Sequence, residues 1–236
     1  MKLPPAVEAL KREVFACNLD LVKHGLVVLT WGNVSGIDRG SGLVAIKPSG
    51  VPYATMTADD IVVTDLDGRV VEGSKRPSSD LPTHLEIYKA FPSAGGVVHT
   101  HSAKAVAWAQ AGRAIPALGT THADHFRGPV PCTRHLTEAE VAEAYEANTG
   151  KAIVGLFRGE GIDPAAVPAA LVAGHGPFAW GPNAAKAVEN AVALEQVAAM
   201  AIDTFLVDAA AAPVPSYVLE KHYGRKHGPG AYYGQK

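Results

Sequence analysis

The sequence predicts one domain, residues 1–236, of mixed helices and strands in an α/β or α+β arrangement. Three observations predict it. An amphipathic helical pattern opens the chain, short apolar strand-like runs follow, and a long Ala-rich segment lies near the end. Apolar residues make up 47% of the chain and charged residues 19%, which is enough apolar material for a sizeable core. No shift in composition marks a linker, and no internal repeat is visible.

The N-terminal half begins with an amphipathic helix over residues 4–24, in which apolar residues recur every three or four positions. Gly25 suits the position where a chain leaves a helix. β-Branched or apolar runs then predict strands at residues 26–30, 42–46 and 60–64. Asp67 and Gly68 predict a hairpin turn into a strand at residues 70–71.

Four helices and two apolar runs are predicted from residue 82 onward. A short helix at residues 82–91 precedes a buried strand at residues 95–101. Thr137 and Glu140 have the spacing of a capping box and predict a helix through residue 148. Three more elements follow: an apolar run at 171–174, a helix without Pro or Gly at 183–211, and a short helix at 216–223.

Charge, cysteine content and hydropathy exclude several classes of protein. The 21 basic and 23 acidic residues nearly cancel, so we expect no nucleic-acid partner. Two cysteines without CxxC spacing predict neither a disulfide framework nor a thiolate zinc site. The first residues have no signal-peptide pattern, and no run of about 18 uncharged apolar residues occurs. We therefore expect a cytoplasmic protein with no membrane partner.

Three histidines and one aspartate are candidate metal ligands. His99 and His101 lie two residues apart at the end of a predicted strand, where side chains project to the same side, roughly 7 Å apart. His175 follows an apolar run and has glycine on each side, and Asp80 precedes a predicted helix. Such a set suits zinc, and manganese or cobalt are alternatives. A histidine after a strand is, however, often only structural, and Asp80 could simply cap its helix.

Three polar turns are candidates for binding an anion. No P-loop pattern occurs, so a phosphate would need other donors. Each turn pairs a hydroxyl or amide with backbone N–H groups, and Lys47 could add a positive charge. The turns are Gly32-Asn33, Ser49-Gly50 and Ser78-Ser79. Each of them could also be an ordinary turn.

Eight motifs along the chain resemble those of the class II aldolase/adducin-head family. In order they are TWGNVSG (30–36), IKPSGV (46–51), MTADDIVV (56–63), RPSSD (76–80), VVHTHS (97–102), GTTHAD (119–124), GHGPFAWG (174–181), and the C-terminal KHYGRKHG with AYYGQ. The resemblance covers essentially the whole chain, and the motifs keep the family's order.

The resemblance implies an α/β/α sandwich with a mostly antiparallel central sheet, assembled as a homotetramer with shared active sites. It implies a zinc ion held by Asp80, His99, His101 and His175. It assigns Lys47 and the three polar turns to a sugar-phosphate substrate. Asp124 is implied as a proton carrier, with Tyr233 reaching the site of the adjacent subunit. His222 and Glu146 match positions near the site.

The resemblance also implies the type of reaction. Family aldolases carry Glu at the position of Asp80, and this difference favours a sugar-phosphate 4-epimerase, an isomerase that cleaves and re-forms a C3–C4 bond. An NAD-dependent route is disfavoured because no GxGxxG fingerprint follows a predicted strand. A sugar-phosphate aldolase is the alternative. A non-catalytic adducin-like head is disfavoured because all four metal-ligand positions are filled.

Overall fold

The computed structural model describes residues 3–233 and contains one antiparallel sheet of seven strands. The strands are β1 (Asn33–Asp38), β2 (Leu43–Ile46), β3 (Val62–Thr64), β4 (Val70–Glu72), β5 (Gly96–His99), β6 (Ala169–Val172) and β7 (Gly176–Gly181). Their order in the sheet is β4-β3-β2-β1-β5-β7-β6. The helices are α1 (Pro5–Lys23), α2 (Leu81–Ala90), α3 (Ala103–Gln110), α4 (Thr120–Ala123), α5 (Glu138–Glu160), α6 (Ala184–Val207) and α7 (Ser216–His227). The end of the AYYGQ motif, residues 234–235, lies outside the described residues.

Helices cover both faces of the sheet, as an α/β/α sandwich requires. The neighbouring residues Ser35 and Gly36 of β1 face opposite sides because strand side chains alternate. The hydroxyl of Ser35 bonds to Tyr88 of α2 at 2.7 Å, whereas a Cβ on Gly36 would lie 2.7 Å from Leu10 of α1. Helices α1 and α2 therefore lie on opposite faces, and the fold class expected from the sequence is confirmed.

One predicted strand near residue 30 was wrong, and the strand that follows it was not predicted. Residues 26–30 form no strand, because Leu26 N–H still bonds to the Leu21 carbonyl and Leu29 has a left-handed φ of 55°. The strand lies instead at β1, in the centre of the sheet. Its sequence, NVSGID, contains polar residues and therefore lacks the apolar pattern that predicts a strand. Its buried Ser35 is satisfied by bonds to His84 Nδ1 and Tyr88, both 2.7 Å. Hydrogen-bonded polar side chains thus replace the apolar residues that a central strand usually contains.

Most other predicted elements are confirmed with shifted ends. The structure has the predicted helices α1, α2, α6 and α7 and the predicted β2 and β4. The predicted strand at 60–64 begins as a short 3-10 turn, Ala58–Asp60, before β3. The Thr137 capping box is present, but α5 runs to Glu160 through a kink at Ala144 rather than ending at residue 148. Helices α3 and α4 and strand β7 were not predicted.

Helix α6 is long and apolar enough to cross a membrane by length and composition alone. It packs instead against the sheet, and its buried residues include Leu194, Val197 and Ala198. Glu195 of this helix accepts the backbone N–H groups of Lys104 and Ala105 at the start of α3. These contacts are those of a core helix.

Candidate active site

The ends of three inner strands, β1, β5 and β7, bring together segments that are distant in sequence. Because neighbouring strands are antiparallel, the start of β1 lies beside the end of β5, and the end of β5 lies beside the start of β7. Asn33 is in register with His99, and His99 with Phe178. His175 immediately precedes β7. The topology therefore places His175 beside His99 and His101. The spacing of these residues in the sequence did not establish this proximity.

The ring nitrogens of His99, His101 and His175 form one compact group. Their candidate ligand atoms all lie within 4.8 Å of one another, and the Nε2 atoms of His99 and His101 are 3.1 Å apart. Two nitrogens bound tetrahedrally to one zinc ion would lie roughly 3.3 Å apart. The prediction that His101 lies on the strand was wrong. Strand β5 ends at His99, and His101 reaches the group from the segment that follows the strand.

The protonation states of His99 and His175 favour metal binding. His99 Nδ1–H donates to the Pro177 carbonyl at 3.0 Å, which leaves the Nε2 lone pair facing the group. Burial against Phe178 lowers the pKa of His99 to about 3, and burial also lowers the pKa of His175. Neutral imidazoles with free lone pairs are metal ligands, so the donor set suits a divalent ion.

Asp80 lies beside the three-histidine group but is not part of it. Asn33 Nδ2 donates to Asp80 Oδ2 at 2.6 Å. Burial acts to raise the pKa of Asp80, but His99, His84 and the Asn33 amide outweigh it, so the pKa lies below its ordinary value. The Asp80 side chain makes no capping bond to α2, which removes the alternative that it is a simple helix cap.

A cavity of about 410 Å³ opens over the histidines. All eleven residues predicted to bind metal or substrate line it: Gly32, Asn33, Lys47, Ser49, Gly50, Ser78, Ser79, Asp80, His99, His101 and His175. Glu146, which matched a position near the site, lines it as well. Sequence reasoning missed Thr30, Trp31, Pro48 and Tyr145, which complete the wall. Their proximity in sequence to Gly32, Lys47 and Glu146 was the available signal.

Lys47 is a buried cation without a counter-charge in the described part of the chain. It is 2% exposed, and no carboxylate lies within 4.0 Å of its ammonium group among residues 3–233. Its Nζ donates to the Pro48 carbonyl at 3.3 Å and lies 4.8 Å from the centre of the Tyr53 ring. Burial lowers the pKa of Lys47. A cavity wall with this lysine suits an anionic ligand, because a buried charge requires a partner.

Backbone bonds hold the polar loops around this lysine. Ser49 N–H donates to the Arg76 carbonyl, and Ser78 N–H donates to the Lys47 carbonyl, both at 3.0 Å. Gly32, which also lines the cavity, has a φ of 85°, and a Cβ there would lie 2.8 Å from the His99 carbonyl oxygen. Only glycine allows this close approach.

Asp124 and Tyr233 lie in a different cluster of the same chain. We call Asp124, His222, Arg225 and Tyr233 the Asp124 cluster. Arg225 donates to both carboxylate oxygens of Asp124, at 3.1 and 2.7 Å, and His222 Nδ1 is 3.2 Å from Asp124 Oδ1. Tyr233 N–H bonds to the Arg225 carbonyl, and the Tyr233 ring centre is 4.7 Å from the Arg225 guanidinium. None of the four residues lines the cavity over the histidines.

The Asp124 carboxyl is held in its ionised form. Burial acts to raise its pKa, but hydrogen bonds from Arg225 and His222 outweigh this effect, and the pKa lies below the ordinary value. Within a single chain, the structure therefore separates the predicted proton carriers from the predicted metal ligands.

Comparisons with known proteins agree with this architecture. The family described as Class II Aldolase and Adducin N-terminal domain matches residues 12–202. L-ribulose-5-phosphate 4-epimerase UlaF from Salmonella paratyphi C (strain RKS4594) is 59% identical over 98% of this chain and 100% of its own. Such identity over both whole chains makes this protein an epimerase, an isomerase-class enzyme.

Solved structures of aldolases share the fold. An L-fuculose 1-phosphate aldolase superposes with a TM-score of 0.78 at 27% identity, covering 92% of this chain and 95% of its own. The L-fuculose-1-phosphate aldolase from Thermus thermophilus has a TM-score of 0.66 at 26% identity, covering 86% of this chain and 99% of its own. The chain belongs to the class II aldolase and adducin N-terminal domain family.

Proposed function

We propose that this protein is a zinc-dependent L-ribulose-5-phosphate 4-epimerase that interconverts L-ribulose 5-phosphate and D-xylulose 5-phosphate. One observation carries the proposal: a single cavity combines the three-histidine group with the buried Lys47, which has no carboxylate partner among residues 3–233. Metal-ligating and anion-binding groups in one cavity suit a substrate with a carbonyl at one end and a phosphate at the other. The 59% identity to UlaF supports the same substrate.

The reaction must invert C4, a carbon that is not adjacent to the ketone. Its proton is not acidic, so removing that proton directly would not suffice. Breaking the C3–C4 bond solves the problem. The C4 hydroxyl loses its proton, C4 becomes an aldehyde, and the bond's electron pair stays on the three-carbon fragment. Adding that pair back to the other face of the aldehyde, with a proton returned to its oxygen, gives the epimer.

His99, His101, His175 and Asp80 would hold the divalent ion, zinc in this proposal. When bound, the ion supplies Lewis-acid stabilisation of the negative charge that develops on the substrate oxygens. The chain's own residues prepare this site: Pro177 fixes the tautomer of His99, and Asn33 orients the Asp80 carboxylate. Such outer contacts set the direction of metal ligands.

Lys47 and the polar loops would bind the phosphate. The ammonium group supplies the positive charge, while Ser49, Gly50, Ser78 and Ser79 offer hydroxyl and backbone donors at the same wall. Gly32 and Asn33 line the cavity next to the histidines and would contact the sugar oxygens. Holding the phosphate keeps the two-carbon fragment in the cavity while its aldehyde turns.

Asp124 and Tyr233 would carry the protons. Inversion requires proton carriers on opposite faces of C4, and both groups belong to the Asp124 cluster outside their own chain's cavity. We therefore propose a homotetramer in which the Asp124 cluster of one subunit completes the cavity of its neighbour. The ionised Asp124 suits a proton acceptor, and the Tyr233 hydroxyl suits a proton donor. We further propose that residues 1–236 form one domain and that the enzyme is cytoplasmic.

A coupled assay tests the proposed activity. Purified protein reconstituted with zinc is incubated with L-ribulose 5-phosphate, and formation of D-xylulose 5-phosphate is followed. The aldolase alternative is tested in parallel with L-fuculose 1-phosphate and detection of free aldehyde. Turnover of the fuculose phosphate without epimerisation of the ribulose phosphate would refute the proposal.

A further inference from the structure

The wall of the cavity contains one large apolar side chain that the proposed chemistry does not use. Trp31 lines the cavity, and the centre of its indole lies 6.2 Å from the ring of His101. It is 52% exposed, whereas the other two tryptophans, Trp108 and Trp180, are buried at 6% and 1% exposure. In the single chain, Trp31 therefore stands at the opening of the cavity, beside the histidine group.

The backbone of Trp31 is held from both sides. Trp31 N–H closes a turn onto the Val28 carbonyl at 3.0 Å, and Tyr53 donates its hydroxyl proton to the carbonyls of Trp31 and Gly32. Leu29 adopts a left-handed φ of 55° in this turn, a conformation that a branched side chain adopts only at a cost. The loop is thus built to keep the indole at the opening and out of the core.

An apolar plane at this position suits the step that separates an epimerase from an aldolase. Both enzymes break a C–C bond, but an epimerase must keep the aldehyde fragment and let it turn before the bond re-forms. A polar wall would hold one orientation of the aldehyde through hydrogen bonds. An indole face covers the fragment and excludes water without favouring either orientation.

We propose that Trp31 decides the fate of the aldehyde fragment by covering it between cleavage and re-addition, so that it re-adds and is not released. The proposal rests on the epimerase function proposed above. It makes Trp31 a specificity-determining residue, because the bond is broken by other groups.

The test is the ratio of free glycolaldehyde phosphate to epimerised product from L-ribulose 5-phosphate. We expect Trp31→Ala to raise this ratio by about tenfold or more and Trp31→Phe, which keeps an aromatic plane, to change it little. Val28→Ala is the matched control, since Val28 is exposed in the same loop but does not line the cavity. The ratio depends only on molecules that turn over, so partial misfolding of a variant does not alter it. An unchanged ratio in Trp31→Ala, even with slower turnover, would overturn the proposal.

A second measurement does not depend on turnover. Since Trp31 is the exposed tryptophan, added glycolaldehyde phosphate should shield it and reduce quenching of its fluorescence by acrylamide. The effect should be absent in Trp31→Phe. Unchanged quenching of the wild-type protein at saturating fragment would contradict the covering role. Failure of the wild-type protein to epimerise the substrate would instead refute the proposed function, so the two failures are distinguishable.

Discussion

The Arg225 guanidinium binds the Asp124 carboxylate with two hydrogen bonds, Nε to Oδ1 at 3.1 Å and Nη2 to Oδ2 at 2.7 Å. The pair joins α7 to the end of α4 and holds Asp124 ionised. An ionised Asp124 can accept a proton at neutral pH but is a poor donor. If Asp124 accepts a proton in the reaction, as proposed above, the pair determines where the acidic limb of the enzyme's pH profile lies.

Replacing Arg225 with Met should move that acidic limb to higher pH. Without the guanidinium, burial of Asp124 is opposed only by His222, so the pKa of Asp124 rises and the carboxylate is protonated at a higher pH. Measuring kcat across the acidic range checks this. Arg127→Met, which removes a similar ion pair between Arg127 and Glu220 of α7, should leave the limb in place. If the acidic limb of Arg225→Met does not move, the protonation of Asp124 does not control kcat.

Asp124→Asn should retain bound metal and oligomeric state but lose most epimerisation. The amide keeps the shape of the side chain and removes proton transfer, which should lower kcat by about a hundredfold to ten-thousandfold. Asp203→Asn, at an exposed position of α6, is the control and should behave as wild type. A decrease of less than about fivefold would remove Asp124 from the proton transfers.

Chelation should abolish turnover, and added zinc should restore it. His101→Asn should also weaken metal binding, by more than about a hundredfold, since losing even an outer contact of a metal ligand costs about ten- to a hundredfold. Metal content after dialysis against a chelator of known affinity measures the effect. His24→Asn, an exposed histidine outside the group, should bind metal like wild type. Full activity of the metal-free protein would contradict the metal-dependent mechanism.

The metal-free protein should lose stability as the pH falls from about 6.5 towards 4. Burial lowers the pKa of His84 from 6.5 to about 4, so the unfolded chain takes up a proton in this range while the folded chain does not. The loss from His84 should be about 3 kcal/mol. His84→Asn retains a bonding atom for Ser35 but does not titrate, so its stability should depend less on pH. Urea unfolding of both proteins at several pH values measures how the free energy of unfolding depends on pH. An equal dependence in the two proteins would contradict the assignment of this effect to His84.

Mixing two inactive variants should restore activity if neighbouring subunits share a site. Tyr233→Phe chains keep the metal ligands, and His101→Asn chains keep the tail. Random reassembly at equal amounts gives about one complete site in four, hence roughly a quarter of wild-type activity. Each variant treated alone is the control. If subunit exchange is demonstrated by a mass-labelled chain and activity stays at the level of the separate variants, Tyr233 acts within its own chain.

Helices were largely predictable because their signals are local. The three-and-four spacing of apolar residues in α1 and the Thr137–Glu140 capping box involve neighbours in sequence, and both are present in the structure. The central strand β1 was not predictable in this way. Its Ser35 is buried through bonds to His84 and Tyr88, residues about 50 positions away, so its local pattern resembles a loop.

The sequence by itself determined the residue types of the site: imidazoles for a metal, a lysine with hydroxyls for an anion, and the family to which the chain belongs. Only the tertiary structure decided which of these residues meet. Antiparallel pairing of β1, β5 and β7 places Asn33, His99 and His175 close together, because the start of one strand lies beside the end of its neighbour. The same fold pairs Asp124 with Arg225, outside the cavity that His99, His101 and His175 line in the same chain. Distances across a sheet depend on strand order and register, and neither can be inferred from the spacing of residues along the chain.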